Sequence, residues 1–440
     1  MNRFSKTTEN VVIFIILFSV FLFAFIKGPV FSPDSGSYEN NSIVRIGMYP
    51  LIINFFKFFF KAHAFKCLAI FQTILTLSAV YCLSNFLRSL FNLPFYSYVA
   101  IIGVFLFPVV SHSGACDILS ESIAYPLFLL TSWFFLKVLA YKKKIHTTLF
   151  AVSLFFLCFT RQQFMFFYVV PLIYIFYLLI FEKNWATSKQ LLLKTVLSLC
   201  TFFIAERSYH AIYHGHFAGT PFVGTQFLMR PLFVASSEAL NSIEDPKQKQ
   251  FITEVTEELK KNGIINPGQP SKELYAYEYF YNTMYHKISS KIWNKVWSKD
   301  IVDKTFGKDH SGFQVQQIID SNALVMGIKL IQANFLATVI YYIKDTMRGM
   351  GGYSCFFFMI VLSLSCITAA FKSKKLNLLY LSILCSIIMH LGNSALVCLF
   401  EPPLTRYVYS TNALFFVMVI IFLTKLLPYL SIQNEKLCAQ

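Results

Sequence analysis

A polar turn follows the first apolar segment of the chain and carries residues that could do chemistry. Asp34 lies in the run Phe31-Ser-Pro-Asp-Ser-Gly-Ser-Tyr38, and Arg45 and Tyr49 follow within one short stretch. An acidic side chain at a membrane surface is costly and commonly functional. A carboxylate can accept a proton from an attacking hydroxyl, and an arginine fork fits a phosphate group. The turn therefore predicts a site for a polar, phosphorylated substrate.

Further polar groups lie beside other apolar segments: Asp117 and Glu121 four residues apart, Arg161, and Glu401 with Arg406 and Tyr407. Each has an ordinary structural interpretation as well. Acidic residues stabilise a helix N-terminus, an interfacial arginine extends toward water, and a glutamate can pair with a nearby arginine. Their predicted convergence on one membrane face favours a shared site.

The composition indicates a membrane protein. Of 440 residues, 56% are hydrophobic and 14% are charged, with a mean hydropathy of +0.57, whereas soluble domains carry roughly 25% charged residues. The net charge of +16 comes from short lysine clusters between apolar segments. Such clusters mark cytoplasmic loops and argue against nucleic-acid binding. The cysteines and the histidines His210, His214 and His216 match no metal-binding motif, and we interpret these histidines as surface residues of a loop.

Apolar segments long enough to approach the bilayer thickness predict an all-α polytopic membrane protein with about ten transmembrane helices. The candidate spans are 10–27, 67–87, 97–111, 119–140, 147–160, 163–182, 190–206, 353–371, 376–399 and 408–427. Alternating loop charge places both termini in the cytoplasm and all the candidate site residues on the outer face.

The same pattern predicts three parts of the chain. Residues 1–206 form an N-terminal membrane module of about seven spans, 207–350 an external helical domain with an interfacial helix, and 351–440 a C-terminal module of about three spans. Segments 46–65 and 327–348 are amphipathic and predict juxtamembrane helices on the outer face. Ordinary transmembrane spans remain the alternative for both segments.

The order of the short motifs resembles that of bacterial membrane glycosyltransferases of the GT-C class. These motifs are Asp34-Ser-x-x-Tyr, Arg45…Tyr-Pro, Ser-Glu121-Ser, Thr-Arg161 and Arg406-Tyr. The resemblance implies a bacterial inner-membrane enzyme that takes a sugar from a polyprenyl-phosphate-linked donor. It further implies transfer, with inversion, to a surface glycan or lipid-linked acceptor on the outer face.

The resemblance also assigns roles to residues. Asp34 becomes the general base, and the implied substrate-binding residues are Arg45, Tyr38, Tyr49, Asp117, Glu121, Arg161, Glu401, Arg406 and Tyr407. Many members of the class carry Asp-Glu or Gly-Asp at the first site, whereas this chain has Pro33-Asp34-Ser35. No metal ligand is assigned, and a divalent metal ion stays open as a cofactor.

Two alternatives remain open. An O-antigen-type oligosaccharide polymerase or ligase would depend on arginines and a histidine of the large external loop. A transporter of lipid-linked oligosaccharides would require polar residues in mid-membrane and paired helix breaks. The predicted spans are almost free of mid-bilayer charge, which disfavours transport.

Overall fold

The computed structural model describes residues 5–111, 114–235, 237–246, 248–250, 252–253, 257, 312–373, 377–401 and 403–438. The named helices are α1 Lys6–Lys27, α2 Ser35–Glu39, α3 Met48–Phe60, α4 Ala64–Phe91, α5 Phe95–Ser111, α6 Glu121–Tyr141, α7 Lys144–Thr160, α8 Val169–Ile180, α9 Trp185–His214, α10 Val223–Val234, α11 Ser237–Asn241, α12 Gly312–Ala333, α13 Phe335–Gly349, α14 Tyr353–Ser373, α15 Leu378–Phe400 and α16 Thr405–Cys438. Short 3-10 helices cover Lys61–His63 and Gln162–Tyr168. Within these described ranges, β-structure is limited to one isolated bridge between Val30 and Asp117.

The chain divides into two compact units. The first contains Met1–Tyr209, Ser354–Asn393 and Tyr409–Gln440, and the second contains His210–Tyr353 and Ser394–Val408. The predicted external domain falls largely in the second unit. Much of that prediction, residues 258–311, lies outside the described residues.

The prediction of an all-α membrane protein is confirmed, but the count of ten spans differs. In the described part of the chain, seven helices are long and apolar enough to cross a membrane, or eight if one bent pair forms a single span. Three of the ten predicted spans correspond to the shorter apolar helices Phe95–Ser111, Lys144–Thr160 and Tyr353–Ala369. For Phe95–Ser111 and Lys144–Thr160, a length of 17 residues, and not a wrong position, accounts for the difference.

In the first unit, the polar turn and the pair Arg88–Glu9 lie at opposite ends of α4. At one end of α4, the rings of Phe31 and Phe65 are in edge contact, with centroids 5.0 Å apart. At its other end, Arg88 pairs with Glu9 at 2.6 Å. Because α4 has 28 residues, these ends are about 42 Å apart. The membrane side that each end faces stays a prediction.

Segment 46–65 forms a helix with a break before α4. The helix α3 ends where Lys61 adopts a positive φ of 45°. Tyr49, Ile53 and Phe56 recur on one face and are buried in a cluster with residues of α4, whereas Phe58 is 77% exposed. At 13 residues, α3 is about 20 Å long, too short to cross a bilayer alone.

Segment 327–348 differs from the single helix that the sequence predicts. It is divided between α12 and α13, which meet at Asn334 with a bend of 104°. The Asn334 amide donates a hydrogen bond of 2.6 Å to the carbonyl oxygen of Val234, at the end of α10. A contact with a residue 100 positions away therefore stabilises the bend.

Candidate functional site

The Arg45 guanidinium organises the polar turn that begins at Asp34. Its Nη2 lies 2.8 Å from Asp34 Oδ1, and its Nε donates to Ser37 Oγ at 2.7 Å. Its Nη1 donates to Tyr38 Oη at 3.2 Å, and the guanidinium carbon lies 4.4 Å from the centroid of the Tyr38 ring. The five-residue helix α2 places Ser37 and Tyr38 for these contacts. One arginine thus fixes the carboxylate, the hydroxyl and the ring.

The two members of this ion pair differ in exposure. The Asp34 side chain is 42% exposed, whereas that of Arg45 is 20% exposed. Burial alone would lower the pKa of Arg45, but the nearby Tyr38, Asp34 and Glu121 outweigh it and raise that pKa. Arg45 therefore keeps its positive charge beside a carboxylate that solvent can reach.

Tyr38 connects the turn to the beginning of α6. Its hydroxyl oxygen lies 2.8 Å from Ser120 Oγ, and Ser120 donates to Glu121 Oε2 at 3.2 Å. Arg161 Nη1 forms an ion pair with the same Glu121 oxygen at 2.7 Å and also contacts Ser120 Oγ at 3.5 Å. The side chains of Arg161 and Glu121 are 18% and 11% exposed. Two arginine–carboxylate pairs therefore lie in one hydrogen-bonded system.

The system continues into the last two helices of the first unit. Arg161 ends α7 in an extended conformation and its Nε donates to Gln163 Oε1 at 2.8 Å. Gln163 Nε2 then donates to Asn393 Oδ1 at 2.7 Å, and Asn393 Nδ2 donates to Thr411 Oγ1 at 3.0 Å. We call this system the polar network. Its members are Asp34, Arg45, Ser37, Tyr38, Ser120, Glu121, Arg161, Gln163, Asn393 and Thr411.

Sequence reasoning identified the charged members and Tyr38 but missed the others. Ser120 directly precedes Glu121 and Gln163 lies two residues after Arg161, so both could have been found from the Ser-Glu-Ser and Thr-Arg-Gln-Gln runs. Asn393 and Thr411 belong to short polar runs within apolar helices and are fully buried. Their position in an apolar segment was the available indication, because a buried amide requires a hydrogen-bonding partner.

Tyr49 and Asp117 support the polar network from neighbouring positions. Tyr49 is fully buried, accepts a hydrogen bond of 2.8 Å from Gln72 and packs edge-on against Tyr38, with ring centroids 5.2 Å apart. Asp117 forms the isolated bridge with Val30, which joins the chain before Asp34 to the chain before α6. Contact of either side chain with a substrate stays a prediction.

Glu401, Arg406 and Tyr407 belong to the second unit. Gln226 donates a hydrogen bond from Nε2 to Glu401 Oε1. Arg406 Nη2 donates to Tyr407 Oη at 2.7 Å, and its guanidinium carbon lies 4.8 Å from the centroid of the same ring. The structure therefore gives these three residues local partners, and their predicted role in substrate binding stays a prediction.

The second unit also contains a buried ion pair that sequence reasoning missed. Arg230 of α10 and Asp345 of α13 pair at 2.9 Å, with side chains 3% and 5% exposed. Arg348 contacts the second Asp345 oxygen at 3.2 Å. Two buried charges of opposite sign stabilise each other only when the pairing is maintained, because both have lost their hydration. Arg230 and Asp345 therefore connect α10 to the bent helix pair.

His210 differs from the surface loop histidine that the sequence predicts, whereas His216 lies in the loop after α9 and is partly exposed. His210 is fully buried within α9, and its Nε2 lies 3.0 Å from Thr220 Oγ1. The ring of Phe313 stacks on His216 with centroids 4.9 Å apart. Among the residues that the structure describes, no group of three or more His, Cys, Asp or Glu side chains could hold a metal ion.

Comparisons with known proteins give no relative: no family model, no curated protein and no solved structure matches the chain.

Proposed function

We propose that the chain is a membrane glycosyltransferase that uses a polyprenyl-phosphate-linked sugar as donor and a surface glycan or lipid-linked molecule as acceptor. The observation that carries the proposal is the polar network. It joins the half-exposed Asp34 carboxylate to two arginines at one end of apolar helices. A site for an amphiphilic phosphate donor requires these groups at the edge of a bilayer.

The proposed reaction divides the groups of the site between base and phosphate binding. Asp34 accepts the proton of the acceptor hydroxyl as that oxygen attacks the anomeric carbon. The new carbon–oxygen bond forms as the bond from the anomeric carbon to the phosphate oxygen breaks, with inversion. The electron pair of that bond remains on the departing polyprenyl phosphate. Arg45 and Arg161 stabilise its charge, because guanidinium groups bind phosphate oxygens in a bidentate manner.

The surface of α3 supports a lipid-linked donor. This helix buries Tyr49 against the polar network and exposes Phe55, Phe58 and Phe59 on its other side. Aromatic side chains at such a position are compatible with the headgroup level of a bilayer. An isoprenoid tail along α3 would bring its phosphate to the turn that contains Arg45.

The experiment uses the purified full chain in nanodiscs with a panel of radiolabelled undecaprenyl-phosphate pentoses and hexoses. Release of undecaprenyl phosphate is measured with each donor. Asp34→Asn should abolish release, because the amide cannot accept the proton. Glu39→Gln is the matched control, since Glu39 lies in the same turn but pairs with Lys57 at 2.7 Å.

A folded Asp34→Asn protein that transfers sugar at the wild-type rate would remove Asp34 from the mechanism. Arg45→Ala and Arg161→Ala provide a second comparison. Each change should raise the KM for the donor more than the KM for the acceptor, because the arginines are assigned to the donor phosphate. Equal effects on both substrates would contradict phosphate binding.

A second candidate function is transport of a lipid-linked oligosaccharide. The bend of 104° between α12 and α13, together with the buried Arg230–Asp345 pair, favours it, because broken helices and buried charges are common at transport sites. Movement of a fluorescent lipid-linked sugar across proteoliposomes discriminates the two. Transport by the Asp34→Asn protein, with no sugar transfer by the wild type, would favour this candidate.

A further inference from the structure

A cavity lies at the end of the first unit that carries Arg88, far from the polar network. Its volume is about 360 Å³, and it is partly open to its surroundings. The residues that shape it include Asn92, Asn377, Tyr380, Phe91, Phe422 and Lys425. Cavities of about 300–1,000 Å³ are typical of small-ligand sites. This space is therefore large enough for a headgroup.

Lys425 is the charged residue of the cavity wall. It lies near the middle of the sequence of α16, between Thr424 and two leucines. Among the described residues it makes no ion pair and no hydrogen bond, and neither Asp nor Glu lines the cavity. A partly buried ammonium group in an apolar environment requires an anionic or polar partner. Nothing in the described part of the protein supplies one.

Polar groups at the ends of two other helices line the same space. Asn92 follows α4 in the left-handed conformation, with φ 46°. Asn377 precedes α15, and its Oδ1 accepts a hydrogen bond of 2.9 Å from the Leu379 amide. Since that oxygen is used, the Asn377 Nδ2 group is the end of the side chain that can donate to a ligand. Phe91 and Phe422 add apolar surface beside these groups.

The surrounding helices hold the cavity wall in place. Thr424, adjacent to Lys425, lies 2.9 Å from Ser97 of α5 through the two hydroxyl oxygens. This contact fixes the turn of α16 that bears Lys425. The helix α4 ends at the cavity and begins about 42 Å away, beside the Asp34 turn. The alternation of loop charge predicts that the cavity end faces the cytoplasm.

We propose that this cavity binds the phosphate-bearing headgroup of an anionic phospholipid from the cytoplasmic leaflet. Lys425 pairs with the phosphate, the amides of Asn92 and Asn377 and the hydroxyl of Tyr380 hydrogen-bond to the headgroup, and Phe91 and Phe422 contact the first carbons of the acyl chains. Basic pockets between transmembrane helices on this side are suited to such lipids. The site is independent of the proposed sugar transfer.

The test uses the full chain, purified in detergent, and native mass spectrometry with added dioleoylphosphatidylglycerol or dioleoylphosphatidylcholine. One phosphatidylglycerol should bind saturably and in preference to phosphatidylcholine. Lys425→Gln should weaken this binding about fivefold, the effect of one basic residue at an anionic surface. Lys425→Arg should retain it. Lys372→Gln is the matched control, since this exposed lysine is at the last turn of α14 and does not line the cavity.

A second variant keeps the proposal testable if Lys425→Gln fails to accumulate. Asn92→Gly removes the amide but preserves the left-handed end of α4, so it should also weaken phosphatidylglycerol binding. Equal binding by wild type, Lys425→Gln and Asn92→Gly would overturn the site. Displacement of the lipid by inorganic phosphate at a modest excess would overturn the lipid assignment and identify free phosphate as the ligand. Loss of binding in Lys372→Gln to the same extent would show a nonspecific surface attraction and would overturn the proposal.

Discussion

The ion pair between Glu121 and Arg161 gives the sharpest test of the polar network. We consider the single changes Glu121→Met and Arg161→Met and the double change. Methionine keeps the length of each side chain while removing its charge. The two single changes each leave one charge without its main partner, whereas the double change leaves neither. The three proteins and the wild type form a double-mutant cycle.

The expected magnitude follows from the geometry of the pair. The atoms are 2.7 Å apart, and the side chains are 11% and 18% exposed. Breaking a fully buried pair costs about 3–5 kcal/mol. Residual solvation and the contacts with Ser120 and Gln163 lower this, so each single change should reduce the free energy of unfolding by about 2 kcal/mol. The double change should also cost about 2 kcal/mol, which gives a coupling energy of about 2 kcal/mol.

The free energy of unfolding is measured by reversible unfolding in sodium dodecyl sulfate, followed by circular dichroism. The Lys142–Glu182 pair at the other end of the first unit is the matched control, with side chains 33% and 17% exposed. A cycle on that pair should show coupling in stability and leave the proposed sugar transfer unchanged. Additive costs in the Glu121–Arg161 cycle would refute the interaction and with it the continuity of the network.

Three further predictions concern packing, the second unit and pH. Gly47→Ala should destabilise the protein by about 1–3 kcal/mol, because the added Cβ would lie 2.6 Å from an aromatic ring atom. The loss is measured by thermal shift. Gly36→Ala is the control, because the space around Gly36 is open. Arg230→Met or Asp345→Asn alone should cost about 3 kcal/mol in detergent unfolding, and Arg230→Met combined with Asp345→Met should recover much of that loss. Arg45→Ala should lower the free energy of unfolding by the same amount at about pH 6 and about pH 9. The raised pKa of Arg45 keeps its charge in both conditions, and its contribution would be lost only as the pH rises through that folded-state pKa.

Each of these outcomes has a clear opposite. Equal melting of the two glycine variants would contradict the close approach at Gly47. We expect the double variant of Arg230 and Asp345 to be more stable than either single variant. A double variant that is less stable would show that the ion pair stabilises the protein by more than the cost of burying its two charges. A stability loss for Arg45→Ala that disappears toward about pH 9 would mean that Arg45 loses its proton in this range.

The sequence was sufficient to predict where the helices lie and which charged residues of the polar network lie near one another. Apolar segments predicted the positions of the membrane helices because lipid exposure demands a continuous run of apolar residues. Four charged residues were expected to lie close together because the topology assigned each of them to the same end of the helices: Asp34, Arg45, Glu121 and Arg161. That assignment required loop charge alone, and no knowledge of side-chain packing.

Long-range partners explain what the sequence could not provide. Asn334 is of a residue type that favours helix ends, but the carbonyl group on α10 that stabilises its bend cannot be identified from the sequence. Arg230 resembles an isolated charge in an apolar run until Asp345 is placed beside it. His210 was interpreted as a loop residue because it follows the predicted span 190–206, in a stretch assigned to the polar external domain. Hydropathy reports the environment of a segment, but not the partner of a side chain.

The charges of the polar network impose a condition on the proposed donor. Asp34 and Glu121 each occupy a guanidinium group that would bind the donor phosphate. A phosphate that enters beside Arg45 must therefore share or displace the Asp34 oxygen that lies 2.8 Å away. Displacement would release that carboxylate oxygen to accept the proton of the acceptor hydroxyl. In the proposed reaction, binding of the donor would therefore also activate the base. Of the two ion pairs, Asp34–Arg45 is the more exposed, so a phosphate can enter there at the lower desolvation cost.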